Sequence, residues 1–228
     1  MRHALSLPVV TILFLGLVLV VQVAESSGPE IMGPSIYTGP SEDEFDQIES
    51  KLDLANPYIA DTAMTIAADY PGEYNINQIN QIYNALATGS WFYYSEAANV
   101  NFLQNANLSL ERGKISRTIG RGDCDDFAIL MASLIESLGG STRIVYAFDE
   151  ENNSAHAYSE VYLGHAGDKT NISQVNRSIE WLQSEYPGKK FPGINYTGSE
   201  VWLNLDWWIE DPEDPHPKDP HPGGPYFG

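Results

Sequence analysis

The segment around Cys124 holds the residue types that could do nucleophilic chemistry. Cys124 is the only cysteine among the 228 residues, so it has no partner for a disulfide within the chain. Cysteine is an intrinsically strong nucleophile, and three aspartates, Asp123, Asp125 and Asp126, stand beside this one. Neighbouring negative charges disfavour a thiolate. The segment therefore predicts either an inert buried thiol or a reactive thiolate that other groups stabilise against these charges.

The residues after Cys124 predict a helix that begins at the cysteine. Apolar residues recur there at helical spacing, and a Gly-Gly pair ends the pattern at residue 139. The unpaired N–H groups and the dipole of a helix N-terminus stabilise a thiolate. Asp125 and Asp126 would lie in the first turn, where acidic residues are favoured. We therefore expect a reactive thiolate at this position in spite of the aspartates.

A reactive thiolate also needs a base, and the body of the chain offers two histidines. His156 begins a segment whose alternating residues predict a strand, and a ring fixed on a strand suits a thiolate–imidazolium pair. His165 lies in a Gly-rich turn and is the weaker alternative. The other histidines lie near the two ends of the chain.

A third group should accept the other N–H of the imidazole and so orient the ring. Asp206 is the candidate, because it lies among tryptophans on a predicted strand, where an unpaired carboxylate is costly. Asn204 shares its strand face and is the alternative. A strand-end cap is the competing interpretation of Asp206.

Three stretches together resemble the transglutaminase-like superfamily of papain-like thiol enzymes. They are "GRGDCDDFAILMASLIESLGGSTRIVYAF", "HAYSEVYL" and "VWLNLDWW". The family pattern is G-x-C-x-D-F-A at a helix start, H-A-W/Y-x-E-V on a strand, and an aspartate on the next strand. "WFYY", from Trp91, resembles the aromatic segment that precedes the cysteine helix. The resemblance covers roughly residues 75–208 and implies an exported member of prokaryotic type.

The resemblance implies a fold and a site. The fold is a papain-like α+β core, with N-terminal helices and with the cysteine-bearing helix packed on a small antiparallel sheet. The expected triad is Cys124, His156 and Asp206, and no cofactor is predicted. The oxyanion candidates are the backbone N–H of Cys124 and a donor from Trp91 or Tyr93. The 50 residues between His156 and Asp206 exceed the family spacing, so we expect an insert at 164–199 to shape the cleft.

The predicted activity is acyl transfer from a peptide or protein, or from a peptide part of the cell envelope. We expect hydrolysis of the amide, because water is the default acceptor in an open cleft, and transglutamination is the variant within the same chemistry. A non-catalytic surface or assembly module on the same fold is the alternative of another class. A metal site made by His216 and His221 in the repeated "DPHP" is a weaker hypothesis than a flexible spacer.

The start of the chain predicts export. Arg2 precedes an apolar run that reaches residue 24, which is typical of a signal peptide or an uncleaved membrane anchor. The positive start stays inside in both cases, so the body would face out. Five Asn-X-Ser/Thr sequons indicate possible glycosylation of an exported protein. They begin at Asn107, Asn152, Asn171, Asn176 and Asn195.

Charge and composition bound the partners and the domain count. A net charge of −19 argues against binding to nucleic acid or to anionic membrane surfaces, although it allows divalent cations. We expect a signal peptide or anchor at 1–24, a linker at 25–40, one domain at 41–210 and a Pro-rich tail at 211–228. Helices are predicted over the first half of that domain, one of them from about Pro57 to Tyr70, and another helix is predicted at about 175–186 in the insert. A long loop is predicted at 90–122, and strands are predicted at 142–148, 155–163 and 200–207.

Overall fold

The computed structural model describes most of the predicted domain and a short segment near the start of the chain. The residues described are 9–13, 42–87, 91–94, 102–149, 154–168 and 194–206, together with residues 173, 176, 177, 180 and 184. The linker predicted at 25–40 and the tail predicted at 211–228 lie outside the described residues.

Five helices and seven strands make up the described structure, in a mixed α+β arrangement. The helices are α1 (Glu42–Lys51), α2 (Pro57–Ile66), α3 (Ile76–Ala87), α4 (Ala106–Ser116) and α5 (Cys124–Ser137). The strands are β1 (Val9–Leu13), β2 (Trp91–Tyr93), β3 (Gly120–Gly122), β4 (Thr142–Asp149), β5 (Ser154–His165), β6 (Ile194–Thr197) and β7 (Glu200–Asn204).

Local capping explains where two of the predicted helices begin. The side chain of Asn56 accepts a hydrogen bond from the backbone N–H of Tyr58, 3.0 Å away, and Pro57 occupies the first helical position of α2. At the start of α3, the N–H of Asn75 donates to the side chain of Gln78 at 3.0 Å, while the Asn75 side chain caps the N–H of Asn77. The helix predicted to reach residue 70 ends at residue 66, before a turn.

The main sheet has the strand order β1-β4-β5-β7-β6, and every neighbouring pair is antiparallel. A second, two-stranded parallel sheet joins β2 to β3 just before α5. The main sheet thus places the segment that holds His156 beside the segment that ends at Asp206, although 50 residues separate the two.

Helix α5 is the centre of the core. Its residues from 125 to 135 are all buried, so no side of the helix is left to water. It packs against β4 and β5 on the sheet and against α2, α3 and α4. The cysteine-bearing helix therefore lies between a sheet and a layer of helices, as the predicted α+β architecture requires.

The loop predicted at 90–122 was wrong, because this stretch contains α4 and two short strands. The buried stripe of α4 has helical spacing, but two of its four members are Ser109 and Gly113, which a hydrophobicity pattern does not detect. Gly113 is small because a Cβ there would lie 2.5 Å from the carbonyl oxygen of Ile119. Close packing rather than apolar content thus specifies this helix.

The end of the predicted insert belongs to the sheet. Strand β6 forms a hairpin with β7 around Gly198, which has a positive φ of 60°. Strand β7 begins at the predicted residue but ends at Asn204, so Asp206 lies just after the strand and not on it. The helix predicted near 175–186 falls mostly outside the described residues.

Part of the apolar run near the start of the chain is a strand in this structure. Residues Val9–Leu13 pair antiparallel with β4 at one edge of the main sheet. Within the described ranges, no helix is long and apolar enough to cross a membrane.

A buried ion pair links three strands of the main sheet. The guanidinium of Arg143 on β4 lies 2.5 Å from the carboxylate of Glu160 on β5, and both side chains are almost fully buried. Arg143 also donates to the hydroxyl of Thr197 at 2.8 Å, and the Asn195 amide donates to Glu160. The glutamate of the H-A-Y-x-E-V pattern thus satisfies a buried arginine.

Removing one partner of this pair should destabilise the fold strongly. We expect Arg143→Ala to lower the free energy of unfolding by about 3–5 kcal/mol, because an unpaired buried carboxylate is left behind. Replacing both partners, as Arg143→Met with Glu160→Leu, should restore much of the loss. Urea unfolding measures both effects.

The matched control is Lys114→Ala, which breaks the exposed pair between Lys114 and Glu111. We expect it to leave the unfolding midpoint unchanged, since exposed pairs contribute little. Equal effects of Lys114→Ala and Arg143→Ala would show that burial of the Arg143 pair has no energetic consequence.

Candidate active site

Cys124 occupies the first position of α5, as the sequence predicts. The residue before it, Asp123, has an extended backbone and is the N-cap of the helix. The cysteine is half-buried and packs against the main core. Its thiol therefore sits where the unpaired N–H groups and the dipole of the helix favour negative charge.

The three aspartates around Cys124 have different surroundings. Asp126 is fully buried, and one of its oxygens accepts the backbone N–H of Gln104 at 2.9 Å, while the other accepts the Gln104 side chain. The carbonyl oxygen of that Gln104 side chain accepts from Arg112 at 2.6 Å. Asp126 thus ties the start of α5 to the segment before α4.

Asp126 also explains the glycine two residues before the cysteine. A Cβ on Gly122 would collide with the Asp126 side chain. The N–H of Asp123 lies 3.4 Å from an Asp126 oxygen, which closes the turn into the helix.

Burial, together with the neighbouring Asp123, Cys124 and Asp126, raises the pKa of Asp125 well above its usual range. A protonated Asp125 opposes a thiolate less than a carboxylate would.

His156 and Asp206 form a buried pair. The Nε2 atom of His156 lies 2.7 Å from Oδ2 of Asp206, and both residues are less than 10 % exposed. The pair stands at the start of β5 and just past the end of β7. Because Nε2 of the ring contacts Asp206, Nδ1 is the ring nitrogen that does not take part in this contact.

The surroundings of His156 favour its protonated form. Burial is the largest single influence and by itself lowers the pKa of His156. The charge and hydrogen bond of Asp206 act in the other direction, as does Cys124 both as a hydrogen-bond partner and through its charge. The combined effect raises the pKa of His156 from 6.5 to about 10. The site can therefore hold an imidazolium between a thiol and a carboxylate.

The backbone of Asp206 is fixed from two sides. Its N–H donates to the side chain of Asn204 at 2.8 Å, and its carbonyl accepts from the hydroxyl of Tyr83 at 2.8 Å. Asn204, the alternative to Asp206 in the sequence, thus holds the aspartate itself. Tyr83 was missed, because its position in the apolar stripe of α3 predicts a core residue and carries no sign of its hydroxyl partner.

Trp91 of the aromatic segment lies against the cysteine helix. Its ring meets that of Phe127 edge to face, with 5.2 Å between centroids, and Phe127 is one turn after Cys124. The Trp91 Nε1 atom is buried and has no hydrogen-bond partner among the described residues. A buried donor without a partner is unusual, which keeps Trp91 a candidate for binding an oxyanion. Tyr93, the other candidate, is half-buried on the same strand.

A comparison with family models identifies the family of this domain. The family model described as the transglutaminase-like superfamily matches residues 62–186. The chain belongs to this superfamily. Its members are generally cysteine-dependent enzymes. Neither the comparison with curated proteins nor that with solved structures found a match.

The match to the transglutaminase-like superfamily includes Cys124 and His156 but ends before Asp206. Asp206 therefore enters the site through its 2.7 Å contact with His156 rather than through the family match. Similarly, the predicted resemblance extended to residue 208, beyond the matched range.

The other sequence candidates lie apart from this site or outside the described residues. His165 is exposed and bonds Ser199 at 3.2 Å, at the other end of β5 from His156. His216 and His221 lie outside the described residues. Of the sequon asparagines, Asn107 is half-buried on α4, Asn176 is exposed, Asn195 is half-buried, and Asn152 and Asn171 are not described.

Two further features bear on ligands. Asp123, Asp125 and Asp126 each have an oxygen within 4.8 Å of the others, which is the spacing of a possible cation site. Both oxygens of Asp126, however, already accept hydrogen bonds from Gln104.

A cavity of about 430 Å³ lies far from Cys124, between the start of α3 and the distal part of β5, where Tyr162 and Arg177 line it.

The raised pKa of His156 predicts how stability depends on pH. The folded pKa of about 10 exceeds the ordinary 6.5, so protonated His156 stabilises the fold fully below pH 6.5 and progressively less up to pH 10. We expect the wild type to exceed His156→Gln in free energy of unfolding by the largest amount near pH 6. The difference between the two proteins should shrink as the pH rises toward 10. Urea unfolding between pH 5.5 and 10 measures this difference.

Asp206→Asn is the companion variant, because it keeps the shape of the partner and removes its charge. Its dependence on pH should be flatter than that of the wild type. A difference between wild type and His156→Gln that grew with pH would contradict the ion pair.

Proposed function

We propose that this protein is a cysteine-dependent acyl-transfer enzyme that hydrolyses amide bonds of peptides. The observation that carries the proposal is the buried 2.7 Å contact between His156 and Asp206, on an imidazole that also interacts with the single cysteine of the chain. These observations support assigning the roles of nucleophile, base and orienting group to Cys124, His156 and Asp206. The superfamily match supports the same chemistry.

In the proposed first half-reaction, the Cys124 thiolate attacks the carbonyl carbon of an amide. The backbone N–H of Cys124 and Trp91 Nε1 are our candidates for binding the oxyanion. His156, as imidazolium, donates its proton to the leaving nitrogen as the C–N bond breaks. The products are a thioester on Cys124, a free amine and a neutral imidazole, which Asp206 keeps in orientation.

In the second half-reaction, neutral His156 takes a proton from water, and the water oxygen attacks the thioester. The C–S bond breaks, the carboxylic acid leaves, and the thiolate–imidazolium pair returns. An amine in place of water would give transglutamination by the same steps. We favour water, because Cys124 is only half-buried and the small acceptor needs no binding site of its own.

We also propose that the protein acts outside the cytoplasm, on a peptide or protein substrate of the cell envelope. The support is the positively charged, apolar start of the chain and the five sequons. The acidic composition is compatible with solubility in that compartment and unfavourable for nucleic acid.

Alkylation of Cys124 by iodoacetamide tests the proposed thiolate–imidazolium pair. We expect rapid alkylation of the wild type at pH 6, because the helix N-terminus and protonated His156 both favour the thiolate. His156→Gln should slow the reaction at pH 6 by about tenfold or more, since it loses the charge partner of the thiolate. Mass spectrometry of the labelled peptide measures the rate.

Peptide hydrolysis is the second readout of the same variants, with a mixed peptide pool followed by mass spectrometry. Cys124→Ala should abolish cleavage, and Asp206→Asn should lower turnover by up to about 10⁴-fold, as for orienting aspartates in serine enzymes. Asn204→Ala, which disturbs only the backbone support of Asp206, should have a smaller effect. Cleavage that survives Cys124→Ala, or alkylation indifferent to His156, would overturn the proposal.

Export has its own test. Treatment of intact cells with a protease should remove the domain at 41–210, with a cytoplasmic protein as the internal control. Complete protection in intact cells, followed by digestion after lysis, would place the domain inside and contradict the export proposal.

A further inference from the structure

Arg121 lies between two exposed aromatic rings beside the cysteine helix. Its guanidinium carbon is 5.1 Å from the ring centroid of Phe92 and 4.4 Å from that of Tyr94. The two rings are 45 % and 50 % exposed, although aromatic rings usually seek burial. We call Phe92, Tyr94 and Arg121 the Arg121 cradle.

The small parallel sheet explains why the cradle faces outward. Arg121 on β3 is paired in register with Phe92 on β2. Side chains alternate along a strand, and the neighbours of Arg121 are Gly120 and Gly122, which pack closely on Trp91 and Asp126. The backbone N–H of Tyr94 bonds the carbonyl of Gly122 at 2.9 Å and brings its ring to the same side. The inner face of the sheet thus holds the core, and the outer face presents the cradle.

The charge of Arg121 is not neutralised within the described part of the chain. None of the ion pairs found there includes it, although the whole chain has 31 acidic and only 12 basic residues. A guanidinium that lies against aromatic rings can still donate hydrogen bonds from the N–H groups along its edge. A planar, preorganised guanidinium is suited to binding a carboxylate through two parallel hydrogen bonds.

The position of the cradle relates it to the thiol. Arg121 is three residues before Cys124, so their Cα atoms lie within about 11 Å of one another. An extended peptide covers that distance in about three residues. A substrate whose amide reaches Cys124 can therefore place a nearby carboxylate against Arg121.

We propose that the Arg121 cradle binds a carboxylate of the substrate, within about three residues of the amide that Cys124 attacks. The inference rests on the proposed function and specifies its substrate class as acidic peptides. The remainder of this acidic chain repels such a peptide, so selectivity requires a local cation. The two rings add apolar area for the adjoining peptide.

Bromoacetyl peptides test the cradle without any need for turnover. Cys124 displaces bromide from the bromoacetyl carbon, and the attached residues then probe the surface beside it. The three probes are bromoacetyl-Gly-Glu-amide, its Gln isostere, and the Gln isostere with a free C-terminal carboxylate. We expect a rate of labelling about tenfold higher for the Glu probe than for its neutral isostere, because the carboxylate gains charge-assisted hydrogen bonds.

Arg121→Gln should reduce this ratio to near one. Because the two probes are compared within the same protein, a change in the reactivity of Cys124 itself cancels from the ratio. Arg177→Gln is the matched control, since it removes the same charge beside the distal part of β5 and should preserve the ratio. Preference for the free C-terminal acid, again dependent on Arg121, would support the cradle and identify a terminal carboxylate as its ligand. A ratio near one in the wild type, or one that Arg121→Gln leaves intact, would overturn the proposal.

Binding without reaction separates this proposal from the proposed function. Acetyl-Gly-Glu-amide should bind the Cys124→Ser protein more tightly than acetyl-Gly-Gln-amide does, as followed by NMR shifts, and Arg121→Gln should remove the difference. An Arg121-dependent preference in a protein that never alkylates or cleaves would sustain the cradle and defeat the enzyme. Equal binding of the two peptides would defeat the cradle alone.

Discussion

The hydrogen bond between His156 and Asp206 is the interaction on which the rest of the site depends. A buried imidazole is disfavoured as a cation by desolvation, and the close carboxylate of Asp206, together with Cys124, reverses that preference. The carboxylate is equally dependent on the histidine, because an unpaired buried charge is costly. The sheet meets both needs by pairing β5 with β7, while Asn204 and Tyr83 fix the backbone of Asp206. The geometry is thus set by residues from β5, β7 and α3.

The surroundings of the aspartates explain why they can lie beside a thiolate at Cys124. Asp126 has a structural role, since both of its oxygens accept hydrogen bonds from Gln104, and Gly122 leaves space for its side chain. The pKa of Asp125 is raised by burial and by its acidic neighbours, so its charge is suppressed where it would oppose a thiolate. The helix start can therefore carry three aspartates beside a nucleophile, because two of them are constrained in ways that reduce their effect on the thiol.

Sequence patterns predicted the features that repeat or that have a strong local signal. Periodicity and the family pattern predicted helix α5 and the strands β4, β5 and β7. They also predicted that His156 lies close to Asp206. Helix α4 did not, because its contact stripe uses Ser109 and Gly113 and is specified by close approach to Ile119. The role of Tyr83 was equally hidden, since a hydroxyl that bonds a backbone carbonyl 123 residues away leaves no trace in local composition. What packing across the chain decides, a local pattern does not reveal.

The contrast between the whole chain and its site suggests how selectivity arises. A net charge of −19 repels acidic peptides at long range, but salt screens that repulsion beyond about 8–10 Å. A guanidinium held between Phe92 and Tyr94 acts at contact distance, where screening is weak and hydrogen-bond geometry decides. A neutral peptide gains only contact with the apolar surface of the rings. An acidic peptide also gains hydrogen bonds from the guanidinium to its carboxylate. Discrimination therefore rests on one short-range contact beside the thiol and not on the field of the protein as a whole.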